Sequence, residues 1–159
     1  MIARPTYLKK LFGFKDKQLI KILTGVRRCG KSTLFEMYQE SLIKGGISKD
    51  CIHSLNLEDI DNEPLKNYKI LYRYIKNRLI PNKMNYVFID EIQNVADFEK
   101  VADSLFIKKN IDLYLTGSNS RMQSGQWAHY LPIGMLKYML CHYLLRNIIL
   151  YLQIKTRLI

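Results

Sequence analysis

Residues 19–34 read LIKILTGVRRCGKSTL, and this stretch decides the fold. It opens with a short apolar run typical of a buried strand and passes through a glycine-rich turn into a helical pattern at 31–42. The turn satisfies the pattern G-x-x-x-x-G-K-[ST] with Gly25, Gly30, Lys31 and Ser32. A strand before that pattern and a helix after it are the context it requires. The sequence therefore predicts a strand, a phosphate-binding loop and a helix, in that order.

Each residue type in this loop has a chemical reason to be there. Glycines let the backbone curl until consecutive N–H groups and the helix N-terminus face a phosphate. Lys31 would add a charge between the β- and γ-phosphates of ATP, and the Ser32 hydroxyl is placed to bind Mg²⁺. An ordinary glycine-rich turn is the alternative interpretation. The predicted ATP-binding residues are Gly25, Val26, Arg27, Arg28, Cys29, Gly30, Lys31, Ser32 and Thr33.

Apolar runs and helical patterns alternate along the rest of the chain. Further strands are predicted at 51–57, 86–89 and 111–115, and further helices at 65–79 and 98–105. Strands that alternate with helices indicate an α/β fold in which a parallel sheet is covered on both faces.

Two carboxylates follow the second of these apolar runs. Asp90 and Glu91 would stand at the C-terminal end of their strand, where open α/β sheets bind ligands. We predict that Asp90 holds magnesium and that Glu91 polarises the attacking water as a general base. Read alone, an Asp-Glu pair after a strand is more often a helix cap, but the phosphate loop upstream favours the catalytic interpretation.

A third polar element follows the strand at 111–115. Asn119 ends the stretch 116–119, Thr-Gly-Ser-Asn, and would lie at the same edge of the sheet. We predict that its amide hydrogen-bonds the γ-phosphate or the attacking water. A simple turn is the alternative.

The chain has 159 residues and a net charge of +11, which permits attraction to nucleic acid, anionic lipid or a polyphosphate. A basic stripe recurs at three- and four-residue spacing on the second predicted helix. Its members are Lys66, Lys69, Arg73 and Lys76. The stripe fits a solvated helix face, or contact with nucleic acid in a binding module without turnover.

The last part of the chain, 132–159, is apolar and basic and has no carboxylate. Polar residues interrupt it, so we expect no stable membrane insertion, although anchoring at a membrane surface stays an alternative.

Three scattered cysteines and the lack of a secretory signal favour a cytoplasmic protein. The sequence does not indicate an oligomeric state.

With these residues placed, the chain resembles the AAA-type predicted ATPases of bacteria and archaea whose long forms carry an uncharacterised C-terminal domain. The resemblance covers roughly residues 2–131. It rests on the opening Arg-Pro-x-Tyr-Leu, the doubled arginines of the loop, Asn-x-Glu-Asp at 56–59, Asp-Glu-Ile-Gln at 90–93 and Thr-Gly-Ser-Asn at 116–119. It implies a three-layer P-loop NTPase core of the additional-strand class. It also implies the roles given above for Lys31, Ser32, Asp90, Glu91 and Asn119.

The chain departs from the family's pattern after Leu131. The family continues there with a fifth strand, so the resemblance implies that this strand is missing or replaced. Residues 1–131 would be an incomplete ATPase core and 132–159 an out-of-frame tail. With the strand at 19–23 left as a sheet edge, we expect weak or absent ATP turnover.

The nucleotide sequence of the gene tests this frameshift hypothesis. Residues 134–148, back-translated with allowed codons and shifted back by one base, read Arg-Tyr-Val-Glu-Ile-Tyr-Ala-Leu-Pro-Leu-Ser-Phe-Lys-Glu-Tyr, as the family does. We expect an insertion or deletion near codons 131–133. A shifted frame that does not encode this continuation would refute the hypothesis.

Overall fold

The computed structural model describes residues 5–25, 29–118, 136–139 and 148–153. The helices are α1 (Pro5–Gly13), α2 (Lys31–Lys44), α3 (Tyr68–Lys76) and α4 (Phe98–Phe106). The strands are β1 (Ile20–Gly25), β2 (Ile52–Asn56), β3 (Asn85–Asp90), β4 (Ile111–Ser118), β5 (Leu136–Met139) and β6 (Ile148–Gln153). Short 3-10 helices span Lys49–Cys51, Ile60–Lys66 and Ile92–Asn94.

The six strands form one sheet in the order β2-β3-β4-β1-β6-β5. Strands β2, β3, β4 and β1 are parallel, as the sequence predicts, whereas β6 and β5 are antiparallel to their neighbours. Neighbouring residues of the parallel strands alternate between two cores. Phe88 and Tyr114 pack on the side of α2, and Val87 and Leu113 pack on the side of α3 and α4. The predicted three-layer α/β fold is confirmed.

One predicted helix has different ends in the structure. The periodicity at 65–79 suggests a single helix, but α3 begins at Tyr68 and ends at Lys76. Its start is set by Asn67, whose side-chain Oδ1 accepts hydrogen bonds from the backbone N–H groups of Lys69 and Ile70 at 3.0 and 3.3 Å. An asparagine in this position caps a helix and fixes its start.

The expectation that β1 is an edge strand is wrong. Strand β6 pairs with β1 in antiparallel register from Ile20 opposite Gln153 to Gly25 opposite Ile148. The segment Ile-Ile-Leu-Tyr-Leu-Gln has the β-branched and aromatic composition of a strand, and it takes the place of the fifth strand. Part of the tail thus belongs to the sheet. The boundary predicted at residue 131 lies outside the described residues, and the frameshift stays a prediction.

Aromatic packing attaches α2 to the sheet. The rings of Phe88 and Tyr114 are stacked with their centroids 4.7 Å apart, and the ring of Phe35 meets Phe88 edge-on at 5.2 Å. Tyr38 lies beside them, with its hydroxyl 3.0 Å from that of Tyr114. Because α2 directly follows the glycine-rich loop, these contacts also fix one end of that loop.

A buried ion pair lies between β1 and β4. Lys21 and Asp112 are 0% and 1% exposed and form a salt bridge. Lys21 also donates to the carbonyl of Lys17 at 2.7 Å, and Asp112 accepts from the Asp16 backbone N–H and the Tyr114 hydroxyl, each at 2.9 Å. Burial lowers the pKa of Lys21, an effect that the charge of Asp112 opposes.

Removing one member of this pair tests its contribution to stability. We expect Lys21→Met to lower the free energy of unfolding by about 3 kcal/mol, because the Asp112 carboxylate would remain buried without its cation. Urea denaturation measures the change. Lys109→Met, at an exposed position, is the control and should change stability little. A loss of stability in the Lys21 variant no larger than in the control would contradict the account.

Candidate functional site

Three strands that carry predicted site residues end at the same edge of the sheet. Gly25 at the end of β1 stands opposite Ser118 at the end of β4. Strand β3 pairs with β4 through Ile89 and Leu115, so Asp90 follows directly at this edge. Parallel pairing therefore brings the loop, the two carboxylates and the Thr-Gly-Ser segment together, as the sequence predicts.

Gly30 sets the start of α2. Its backbone is left-handed, with φ of 87° and ψ of 33°, a conformation that glycine adopts without a steric penalty. Its carbonyl accepts the first helical hydrogen bond, from the Leu34 N–H at 3.1 Å. The turn places Lys31 and Ser32 in the first turn of the helix, where the free N–H groups of the backbone lie.

Asp90 is the junction between these elements. It is only 7% exposed, and both of its carboxylate oxygens accept hydrogen bonds. The Ser32 hydroxyl donates to Oδ2 and the Thr116 hydroxyl donates to Oδ1. The Thr116 hydroxyl oxygen also accepts from the backbone N–H of Glu91 at 2.9 Å. One carboxylate thus joins α2, β3 and β4.

Glu91 contacts the lysine of the loop. Its Oε1 lies 3.3 Å from Lys31 Nζ, and its Oε2 accepts a hydrogen bond from the Gln93 side chain. The backbone of Glu91 is left-handed, with φ of 56°, which is uncommon for a residue other than glycine. Such strain is frequent at functional sites. Glu91 precedes a 3-10 helix, and its side chain makes no capping hydrogen bond there.

The structure brings four predicted residues together: Lys31, Ser32, Asp90 and Glu91. Thr33 lies beside them in α2, and Cys29 packs against the aromatic core rather than pairing with another cysteine. The remaining predicted positions lie outside the described residues. They are Val26, Arg27, Arg28 and Asn119.

Sequence reasoning missed the roles of Thr116 and Gln93. The apolar run ends at Leu115, so the sequence places Thr116 in a segment after the strand, whereas β4 extends to Ser118. The available clue was that a hydroxyl buried at the end of an apolar strand must find a hydrogen-bond partner. Thr116 is 0% exposed, and its partners are Asp90 and Glu91.

The oxygen atoms at this junction suit magnesium. Ser32 Oγ and Asp90 Oδ2 are in direct contact, and both are ligand types that Mg²⁺ prefers. Among the described residues, no three His, Cys, Asp or Glu side chains group as a complete metal site. Mg²⁺ is commonly bound by one or two protein side chains together with substrate phosphates and water. The site therefore fits magnesium that arrives with a nucleotide.

The fold is that of an α/β domain of the P-loop NTPase type. Residues 17–148 match the AAA domain family, so the chain belongs to that family and the resemblance found in the sequence is confirmed. An uncharacterised protein from Haemophilus influenzae is 36% identical over 129 residues. The alignment covers 80% of this chain but only 32% of that protein, so the chain spans about a third of its relative's length.

No helix within the described segments is long and apolar enough to cross a bilayer.

The hydroxyl of Thr116 gives a direct test of the junction. We expect Thr116→Val to lower the free energy of unfolding by about 2 kcal/mol, because it leaves the Glu91 N–H and one oxygen of Asp90 without a partner. Thr116→Ser keeps the hydroxyl and loses only a methyl group, about 0.8 kcal/mol. Chemical denaturation of both variants separates the two effects, and equal stability of the valine and serine variants would contradict the assignment.

Proposed function

We propose that this domain binds ATP together with Mg²⁺ at the junction of α2 and β3 and hydrolyses it. The observation that carries the proposal is the meeting of Lys31 and Ser32 with Asp90 and Glu91, through the Lys31–Glu91 pair and the Ser32–Asp90 hydrogen bond. A lysine, a hydroxyl and two carboxylates, placed after a glycine-rich turn, are the groups that phosphoryl transfer from a nucleotide requires.

The first task of these residues is to hold the phosphates. The backbone N–H groups of the loop from Gly25 to Thr33 and the N-terminus of α2 would face the β-phosphate. The Lys31 ammonium group would contact the β- and γ-phosphates. Ser32 and Asp90 would hold Mg²⁺, which when bound neutralises part of the negative charge of the triphosphate.

The ion pair between Lys31 and Glu91 belongs to the site without nucleotide and would separate when a nucleotide binds. Both residues are largely buried, so each charge is compensated by the other before a nucleotide binds. The γ-phosphate of a bound nucleotide would replace Glu91 as the partner of Lys31. Oε1 of Glu91 would then be free to accept a hydrogen bond from water, while the Gln93 side chain still donates to Oε2.

The proposed reaction is attack of that water on the γ-phosphorus. A bond forms between the water oxygen and phosphorus, the bond from phosphorus to the bridging oxygen breaks, and the proton of the water goes to Glu91. ADP and inorganic phosphate leave. Asn119 is the proposed hydrogen-bond donor to the γ-phosphate.

The physical reason for expecting weak turnover no longer holds. That expectation depended on β1 being an unpaired edge strand next to the loop. Because β1 pairs with β4 on one side and β6 on the other, the strand that leads into the loop is held along both edges.

Removal of the lysine tests ATP binding. We expect Lys31→Ala to weaken the binding of labelled ATP in the presence of Mg²⁺ by roughly 10- to 100-fold, because charge-assisted hydrogen bonds to the phosphates are lost. Titration followed by fluorescence gives the affinity. Lys44→Ala, at the exposed end of the same helix, is the matched control. Unchanged affinity in the Lys31 variant would refute the proposed site.

Replacing the proposed base tests hydrolysis separately from binding. Glu91→Gln keeps the size of the side chain but cannot accept the proton, so we expect phosphate release to fall about 100-fold or more while ATP affinity is retained. Release of inorganic phosphate from purified protein measures the rate. Full turnover in this variant would remove Glu91 from the mechanism without affecting the binding site.

A further inference from the structure

A groove lies between α3 and α4. Its volume is about 340 Å³, and its polar lining consists mainly of Tyr68, Lys69, Tyr72, Arg73, Lys76 and Lys100. The starts of the two helices are joined by a bridge between Asn67 and Ala96. On its other side, α3 packs Leu71 and Ile75 into the core, so the groove faces outwards.

The groove carries more positive than negative charge. Lys69, Arg73 and Lys76 come from α3 and Lys100 comes from α4, and no carboxylate lines the groove. A hydrogen bond from Lys100 to Asp97 at 2.8 Å raises the pKa of Lys100, so this side chain is charged at neutral pH. Within the described part of the chain, neither Arg73 nor Lys76 pairs with an acidic side chain. These two cations are open to an anion from outside.

The structure divides the basic stripe that the sequence suggests. Lys66 precedes α3 in a 3-10 helix and pairs with Glu63, and it does not line the groove. The other three members follow α3 from Lys69 to Lys76, a distance of about 10 Å along the helix. They share a concave surface with Lys100, so the stripe is more than an evenly solvated helix face.

Two tyrosine rings lie among these cations. Tyr68 and Tyr72 are one helical turn apart on α3, and both are partly exposed. The Nζ atoms of Lys100 and Lys69 lie 5.1 and 5.7 Å from the centre of the Tyr68 ring, which are cation–π distances. Aromatic faces bordered by cations are what proteins use to bind single-stranded nucleic acid, since bases stack on the rings and phosphates contact the cations.

We propose that this groove binds a short stretch of single-stranded nucleic acid, with phosphates on Lys69, Arg73 and Lys76 and a base against the ring of Tyr72. In a duplex the faces of the bases are stacked on one another, so the tyrosine rings would have no base to contact. An anionic lipid surface would satisfy the cations but supplies no base. The proposal does not rest on ATP binding, because it uses none of the residues of the nucleotide site.

The charge of the groove is tested with a labelled oligothymidylate of about 15 nucleotides, titrated into the full 159-residue protein without ATP. Fluorescence anisotropy at several salt concentrations gives the affinity. We expect the variant Lys69→Ser/Arg73→Ser/Lys76→Ser to bind at least about tenfold more weakly, because three phosphate contacts are lost. For the same reason, the slope of log K against the logarithm of the salt concentration should become less steep by roughly 2.

The matched control is Lys44→Ser/Lys49→Ser/Lys109→Ser, which removes the same charge from exposed positions away from the groove. It should retain most of the affinity. Equal losses in the two triple variants, or tighter binding of a duplex or of anionic phosphatidylserine vesicles than of the oligonucleotide, would overturn the proposal. Circular dichroism melting checks that both variants are folded, which we expect because all substituted side chains are exposed.

The stacking component has its own test. We expect Tyr72→Leu to weaken oligothymidylate binding about tenfold while leaving the binding of heparin, a polyanion without bases, unchanged. Tyr74→Leu is the control on the same helix, since the Tyr74 ring is covered by the Arg78 guanidinium at 3.5 Å and does not line the groove. Equal losses for heparin and oligonucleotide, or equal losses in the two tyrosine variants, would show that the groove does not select bases.

Discussion

The need to satisfy one buried carboxylate organises this domain. Asp90 ends a strand whose residues are all buried, and an unpaired charge there would cost several kcal/mol. Its partners come from α2 and β4, two elements that are distant from it along the chain. The same contacts that satisfy Asp90 therefore also fix the start of α2 against the end of β3. Loop, helix and sheet take up their relative positions around a single polar group.

The sheet follows from this arrangement and from the alternation of side chains along its strands. Aromatic residues dominate the face that receives α2, and aliphatic residues dominate the face that receives α3 and α4. A polar network, centred on Lys21 and Asp112, lies within the aromatic face. Burial raises the pKa of Tyr114 in this network, so its phenol stays neutral and can donate to Asp112. The face that receives α2 thus contains a buried polar network in addition to its aromatic core.

Most of the parallel sheet and the centre of the site were predictable from the sequence, because both depend on local patterns. Apolar runs mark β1, β2, β3 and β4, and the glycine-lysine-serine turn marks the loop. What could not be predicted depends on contacts between distant segments or on single hydrogen bonds. The hydroxyl of Thr116 acts across two strands, and the cap at Asn67 shortens a helix whose periodicity continues beyond it.

The elements near the two ends of the described chain, α1, β5 and β6, also could not be predicted from local patterns. Helix α1 starts at Pro5, a residue that favours the first turn of a helix, but it spans only Pro5–Gly13 and has no acidic residue in its first turn. Strands β5 and β6 carry β-type composition without a turn signal that fixes their partners. The place of β6 beside β1 follows from the hydrogen bonds that β1 would otherwise leave unpaired.

The nucleotide site and the groove are close along the chain. A 3-10 helix at Ile92–Asn94 separates Glu91 from Ala96, whose bridge to Asn67 joins the starts of α3 and α4. The Asn94 side chain also donates to the Leu57 carbonyl at 3.2 Å, which ties this connection to the end of β2. The path from the proposed base to the groove therefore runs through a short and well-anchored segment.

The position of β1 also bears on how the chain acquires this structure. Both neighbours of β1 are remote in sequence, since Ile20 pairs with Leu113 on one side and with Gln153 on the other. By contrast, α3, β3 and α4 contact segments that lie near them in the chain. Closing a longer loop costs more conformational entropy, so the pairing of β1 carries the largest loop-closure cost of the parallel strands. We therefore expect β1 to join the sheet after the elements whose partners lie closer in the chain, so that a partly folded chain would have helices before it has its nucleotide site.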